Sequence, residues 1–149
     1  CQIGGFSHGH GAKYLFRVLR YPGKSPEQIA ETLESKEIRG LAYPIIGFKD
    51  KAGKEARAVY VQVRDWQQVR PTEISFYLMQ IACLWGQGNP FSRASRNNAA
   101  LFNKHVGSTE WWDTLTYKGS AINVREFIQQ WDIQARAFQA FSKQYWLYF

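Results

Sequence analysis

The sequence has little cysteine: only Cys1 and Cys83 occur among its 149 residues. Two thiols cannot build a disulfide scaffold or an all-cysteine metal site. No apolar run approaches the ~20 residues that a membrane-spanning helix needs, so the sequence predicts no membrane span. Internal repeats, low-complexity segments and Pro/Ser-rich linkers are also absent from the sequence. Nothing in the composition therefore marks a boundary between domains.

The sequence is rich instead in basic and aromatic residues. Lys and Arg number 19 against 12 Asp and Glu, which gives a formal charge of +7. The aromatic residues are 6 Trp, 8 Tyr and 10 Phe, and 45% of all residues are hydrophobic, enough to bury a core. At this length we expect a single compact domain over 1–149. Within it, we expect 1–12 to form an irregular terminus rich in glycine and histidine.

The first residue is Cys1 and not methionine. This start predicts a chain that is processed, trimmed or a fragment, and a lipoprotein cleaved before a cysteine is one interpretation. No signal peptide is visible that would decide between them, so the sequence leaves the compartment open.

The hydrophobic pattern predicts an α+β fold. A β-α-β-β layer over about 13–63 would pack with a mainly helical second half over about 71–146. Apolar alternation and turn residues predict the strands of this layer over 13–20, 41–48 and 56–63. Its helix is predicted over about 26–39, with Ser25-Pro26 at the start. Helical spacing predicts the other helices over 74–85, 95–105 and 124–145.

No familiar catalytic centre is visible in the sequence. His8 and His10 lack acidic or cysteine partners at a metal-ligand spacing. Cys83 and His105 could act as nucleophile and base, but Cys83 lies in the most apolar helix, where burial makes a thiol inert. We therefore predict no catalytic residue, metal or cofactor. The sequence favours a non-enzymatic protein and leaves activity open.

Basic residues are the stronger functional signal. Lys49, Lys51 and Lys54 crown the hairpin predicted between the second and third strands, and Arg57 follows them. Arg93 and Arg96 add two more cations beside polar amides. Such side chains contact phosphates well, although a solvated surface would have the same composition.

The adjacent pair Trp111-Trp112 is a possible aromatic addition to this surface. Neighbouring residues point to different sides of any element, so one ring could be buried while the other stacks on a base or a sugar.

Two partial resemblances concern the second half. The segment 71–119 resembles the winged helix of plasmid and phage replication proteins, on Thr72-Glu73, Asn89-Pro90-Phe91 and the helix after them. Extended to Phe141, it also resembles bacterial cell-wall glucosaminidases of the lysozyme-like type. The residues that carry this second resemblance are Gln80, Trp85-Gly86, Asn97-Asn98, Leu101-Phe102, Tyr117, Phe127 and Trp131. Ala82, Cys83 and Leu84 occupy the place of that family's glutamate, so the resemblance implies the fold or glycan binding without cleavage.

A third resemblance is shorter. Residues 122–127 resemble the Val-Arg-Glu-Phe helix of phycobilisome linkers, which are basic proteins that bind acidic pigment proteins.

These observations predict a non-enzymatic basic binding protein whose leading partner is nucleic acid. The residues expected to hold that partner are Lys49, Lys51, Lys54, Arg57, Arg93 and Arg96, with Trp111 or Trp112 stacking. One alternative is a structural or linker subunit of a larger assembly, binding an acidic protein through the same face. Another is a peptidoglycan-binding or glucosaminidase-like cell-wall protein that lacks the expected catalytic Glu.

Overall fold

The described strands all lie in the first part of the chain, together with one helix, in the computed structural model, which describes residues 3–9, 13–14, 16–50 and 52–147. The first part contains β1 (Val18–Leu19), α1 (Pro26–Glu34), β2 (Leu41–Ala42), β3 (Ile45–Lys49), β4 (Glu55–Tyr60) and β5 (Gln62–Val63). The second part contains α2 (Pro71–Trp85), α3 (Arg96–Val106), α4 (Thr109–Lys118) and α5 (Val124–Ser142). Short 3₁₀ turns follow α4 at Gly119–Ala121 and α5 at Lys143–Tyr145. The predicted α+β fold is confirmed.

The strands form two small antiparallel sheets. One sheet has the order β1-β4-β3, and β2 pairs with β5 in the other. The predicted strand over 41–48 is interrupted at Pro44, whose nitrogen cannot donate a ladder hydrogen bond. The predicted strand over 13–20 is reduced to β1 because Phe16 adopts a positive φ of 58° that no extended strand allows.

The start of α1 follows from local sequence. The Ser25 hydroxyl accepts from the Gln28 N–H at 3.2 Å, and the Gln28 side chain accepts from the Ser25 N–H at 3.0 Å. Pro26 occupies the first helical position, as the sequence predicts. The helix ends at Glu34, earlier than expected, because Glu37 has φ 54° and leaves the helical conformation.

Three of the helices in the second half lie close to their predicted positions. Pro71 begins α2 and Gly86 ends it. Helical spacing does not predict α4, and the winged-helix resemblance places only a shorter helix at 111–115. The start of α4 is capped: the Ser108 hydroxyl accepts from the Trp111 N–H at 3.1 Å. Among the described helices, none is both long and apolar enough to cross a membrane.

One hydrophobic core draws on both halves of the chain. Its buried members include Ile29, Leu33 and Val59 from the first half and Ile81, Trp111, Leu115 and Phe127 from the second. A smaller cluster of Val18, Phe48 and Ala58 covers the other face of the larger sheet. The predicted packing of the β-α-β-β layer on the helices is therefore present, and it fixes the N-terminal segment beside α2.

The last helix differs from the prediction along part of its length. The sequence predicts one core stripe that runs from Phe127 through Trp131 to Phe138 and Phe141. Phe127 is buried at 6% exposure, but Phe138 and Phe141 are 69% and 58% exposed. The two rings in the distal half of α5 are thus largely open to solvent, apart from the contact of Phe141 with Tyr145 in the following 3₁₀ turn.

Candidate functional site

A groove of about 770 Å³ opens between the N-terminal segment and the helices α2, α3 and α5. Apolar side chains form most of its walls, among them Phe6, Phe76, Phe91, Phe102 and Trp131. A few polar groups also line it, among them His8, Thr72, Ser75, Asn98 and His105. An apolar cleft with a small number of polar side chains is the usual form of a ligand site.

Aromatic packing holds the walls of the groove in place. The rings of Phe91 and Phe102 lie 5.9 Å apart edge to face, and Phe102 lies 4.8 Å from Trp112 behind it. On the opposite wall, Phe76 and Trp131 make a second edge-to-face pair at 5.0 Å. Such contacts fix ring orientation beyond simple burial, so the groove is a preformed feature of the fold.

Asn89 positions the Phe91 wall. Its side-chain oxygen accepts from the Phe91 N–H at 3.0 Å, and its amide donates to the carbonyls of Leu115 and Thr116 at 2.8 and 3.0 Å. These bonds tie the connection between α2 and α3 to the end of α4.

Phe16 and His8 also line the groove. Their rings stack at 4.9 Å with an angle of 17° between the planes, and the Phe16 N–H donates to the His8 carbonyl at 2.8 Å. The ring of Phe16 is 69% exposed. Its backbone has a positive φ, which is unfavourable for a large side chain. Strain of this kind persists where surrounding structure imposes it and is concentrated at functional sites.

The described lining of the groove does not include the carboxyl groups that glycoside cleavage uses. No Asp or Glu is among the described residues that line it, whereas glycosidases use a pair of carboxyl groups. His105 lines the groove but Cys83 does not. Burial raises the pKa of the Cys83 thiol to about 11, and its Sγ lies 3.5 Å from the Asn89 side-chain oxygen. The thiol is thus protonated and inert at neutral pH.

Across the described part of the chain, no three His, Cys, Asp or Glu side chains converge as metal ligands. Of the pair His8 and His10, the second lies outside the described residues.

The hairpin between β3 and β4 carries charges of both signs. Lys49 lies directly opposite Glu55, and the Asp50 carboxylate accepts from the Lys54 N–H at 3.0 Å. Arg57 donates to Glu27 of α1 at 2.7 Å. Lys51 lies outside the described residues. Acidic neighbours therefore reduce the positive potential that this face would offer to phosphates.

Arg93 and Arg96 belong to another region, between the end of α2 and the first residue of α3. Both side chains are exposed. The Arg93 guanidinium folds back over Gly88, where a Cβ would lie 2.5 Å from its Nη2. No contact between described residues joins these two arginines to the hairpin, so the six predicted cations are not shown to form one patch.

The two tryptophans have different environments. Trp111 is fully buried, and its indole N–H donates to the Met79 sulfur at 3.0 Å. Its predicted stacking role is wrong because no ring face is open to a ligand. Trp112 is half-buried against Phe91 and Phe102, so it supports the groove wall, and a stacking role for it stays a prediction.

The sequence does not reveal the groove as a site because the residues that line it come from distant parts of the chain. One signal was present: Asn98, Leu101, Phe102 and Trp131, which carried part of the glucosaminidase resemblance, all line it.

Comparison with known proteins also relates this chain to cell-wall enzymes. A family model described as "Exo-beta-N-acetylmuramidase NamZ, C-terminal" matches residues 2–148. A crystal structure of a DUF1343 family protein from Bacteroides fragilis superposes with a TM-score of 0.74 at 22% identity, a likeness that shows the fold. The superposition covers 99% of this chain and 39% of that one, so this chain spans about two fifths of its length. None of the curated proteins matches this chain.

Proposed function

The chain belongs to the family of C-terminal regions of NamZ-type exo-β-N-acetylmuramidases, and we propose that it is the non-catalytic module of a cell-wall enzyme. In this role its groove binds fragments of peptidoglycan that contain muramic acid. The family match over residues 2–148 carries the proposal. It favours the cell-wall alternative from the sequence over nucleic-acid binding, which none of the comparisons supports.

The groove is suited to a sugar. Aromatic walls offer flat apolar faces to the C–H groups of a pyranose ring, and the few polar side chains offer hydrogen bonds to its hydroxyl and acetamido groups. Since no carboxyl group lines the described groove, the acid and base for cleavage would come from another part of the enzyme.

The positive charge of the chain suits the same ligand. N-Acetylmuramic acid carries a lactyl carboxylate where no peptide is attached to it, and the attached peptide carries its own carboxylates where one is, so a protein of net charge +7 attracts either fragment. The predicted basic residues, Lys49 and Lys54 among them, would contribute to this field without touching the groove.

Phe16 offers a direct test of the proposal. In Phe16→Gly the stacking ring is lost, and the positive φ becomes relaxed for the new residue. We expect a loss of about fivefold in affinity for a disaccharide-peptide containing N-acetylmuramic acid, equivalent to about 1 kcal/mol, with little change in thermal stability. Calorimetric titration measures the affinity.

Tyr117→Ala is the matched control, because this ring is 90% exposed on α4 and does not line the groove. Equal affinity of both variants and the parent would remove the groove from the proposal. Binding of duplex DNA without binding of the glycan fragment would restore the nucleic-acid hypothesis. Clearing of a peptidoglycan suspension by the 149-residue chain alone would contradict its non-catalytic role.

A further inference from the structure

The distal half of α5 presents a distal apolar face, made of Ile133, Phe138, Phe141 and the following Tyr145 and Leu147. Their exposed fractions are 69%, 69%, 58%, 67% and 86%. At 3.6 residues per turn, Ile133, Phe138 and Phe141 fall within about 140° of the helix circumference. These three residues therefore lie on one side of the helix, together with Ala137 and Gln134, and Tyr145 joins them through its contact with Phe141.

Single exposed apolar residues are ordinary on a protein surface, but a continuous group of large ones marks an interaction site. Each aromatic ring removes about 150–250 Å² from water when it is fully covered. Phe141 and Tyr145 already pack against each other, with ring centroids 5.6 Å apart. Covering this face would therefore release substantial free energy at a small cost in side-chain ordering.

We propose that the distal apolar face is the docking surface for the N-terminal part of a longer polypeptide that this chain completes. The matched family is defined as the C-terminal region of an enzyme, and about three fifths of the similar Bacteroides fragilis chain lies outside the superposed region. That remaining length supplies the occupant. The proposal rests on the proposed function only in treating the chain as part of such an enzyme.

Contacts between α5 and the core hold the distal apolar face in a fixed position. Arg70, which precedes α2, donates a hydrogen bond to Asp132 where the distal half begins. Trp131 packs on Phe76 and lines the groove, and Phe138 lies seven residues later, within about 20° of it around the helix. The distal apolar face thus extends from the edge of the groove in a fixed direction.

Hydrogen exchange measured by mass spectrometry tests the docking. The amides of residues 133–147 are compared in the 149-residue chain and in the full gene product. We expect exchange to slow by about tenfold or more in the full gene product, because a covered helix opens less often. Equal exchange rates, or a gene product with no preceding domain, would overturn the proposal.

A pair of charge substitutions sharpens this test. Phe141→Asp places a carboxylate on the distal apolar face, whereas Gln139→Asp places the same charge about 160° around the helix. Both side chains are exposed, so each variant should alter thermal unfolding of the 149-residue chain only slightly, Phe141→Asp through loss of the Tyr145 contact. In the full gene product, only Phe141→Asp should restore fast exchange; a silent Phe141→Asp would contradict docking at this face.

Light scattering separates the other possible occupant. If the 149-residue chain is a dimer that Phe141→Asp dissociates, the face binds a second copy and the proposal fails. These measurements use no glycan, so a failure of docking and a failure of glycan binding are seen independently.

Discussion

The two halves of α5 have the same amphipathic character and opposite environments. Val124 and Phe127 in the proximal half are buried, at 2% and 6% exposure, while Phe138 and Phe141 in the distal half remain open to solvent. Helical spacing of apolar residues predicts both the helix and its apolar side correctly. It does not predict what covers that side, because the partner of an amphipathic helix is set by tertiary structure and lies elsewhere in the sequence.

The proximal half is covered by a cluster of aromatic rings. Phe127 lies 4.6 Å from Trp111, 5.5 Å from Phe76 and 5.2 Å from Trp131 between ring centroids. Among the ring contacts of the described residues, the distal half has one, between Phe141 and Tyr145 of the following 3₁₀ turn. The proximal half therefore contributes to the stability of this chain. The apolar surface of the distal half is available to the partner proposed above.

The largest effect should come from truncating the proximal half. Phe127→Ala removes a buried ring from the cluster and leaves a cavity, so we expect a loss of about 3–5 kcal/mol in the free energy of unfolding. Urea denaturation measures the change. A loss below about 1 kcal/mol would mean that the neighbouring rings close the cavity and that the two halves of α5 differ less than their burial indicates.

A smaller effect should arise at the junction of the two halves. The hydrogen bond from Arg70 holds the pKa of the Asp132 carboxyl below its usual range, with the positive charges of Arg70 and Arg136 as additional causes. Both partners of the ion pair are more than a third exposed, at 50% and 37%. Since solvent screens such a pair, we expect Asp132→Asn to cost at most about 1 kcal/mol.

The pH dependence of this cost has a definite sign. The pKa of Asp132 is lowered in the folded state, so the pair stabilises the fold above the unfolded pKa of about 3.9. The stabilisation is lost as the pH falls through the lower folded pKa. Denaturation of parent and Asp132→Asn should therefore converge in acid, and also in high salt. Asp113→Asn on α4 is the control, and a difference that persists in acid would contradict the assignment.

Local signals in the sequence predicted much of the fold. Ser25, Pro26 and Gly86 act on their immediate neighbours, so they place helix ends correctly without knowledge of the tertiary structure. The strand boundaries are predicted less well. Phe16 departs from strand geometry because the surrounding structure imposes a positive φ, which the type of its side chain does not indicate.

The candidate site was largely beyond the reach of the sequence. The groove joins His8 and Phe16 to Asn98 and Trp131, which are separated by more than 80 residues, and no spacing rule connects them. The charged hairpin is visible in the sequence because its residues are contiguous. The structure pairs Arg57 with Glu27 of α1 and sets Glu55 opposite Lys49, and neighbours of this kind across a sheet or on a helix cannot be seen in a composition count.

The smallest effect, and the one most specific to the comparison, is expected for Phe138→Ala. The ring is 69% exposed, so little burial is lost, and alanine has a higher helix propensity than phenylalanine by about 0.5 kcal/mol. The same Phe→Ala change that damages the proximal half should therefore be neutral or slightly stabilising here, as measured by urea denaturation of the 149-residue chain. A loss above about 1 kcal/mol would show that Phe138 packs within this chain. That result would mean that the distal apolar face is already covered within this chain and cannot bind a partner.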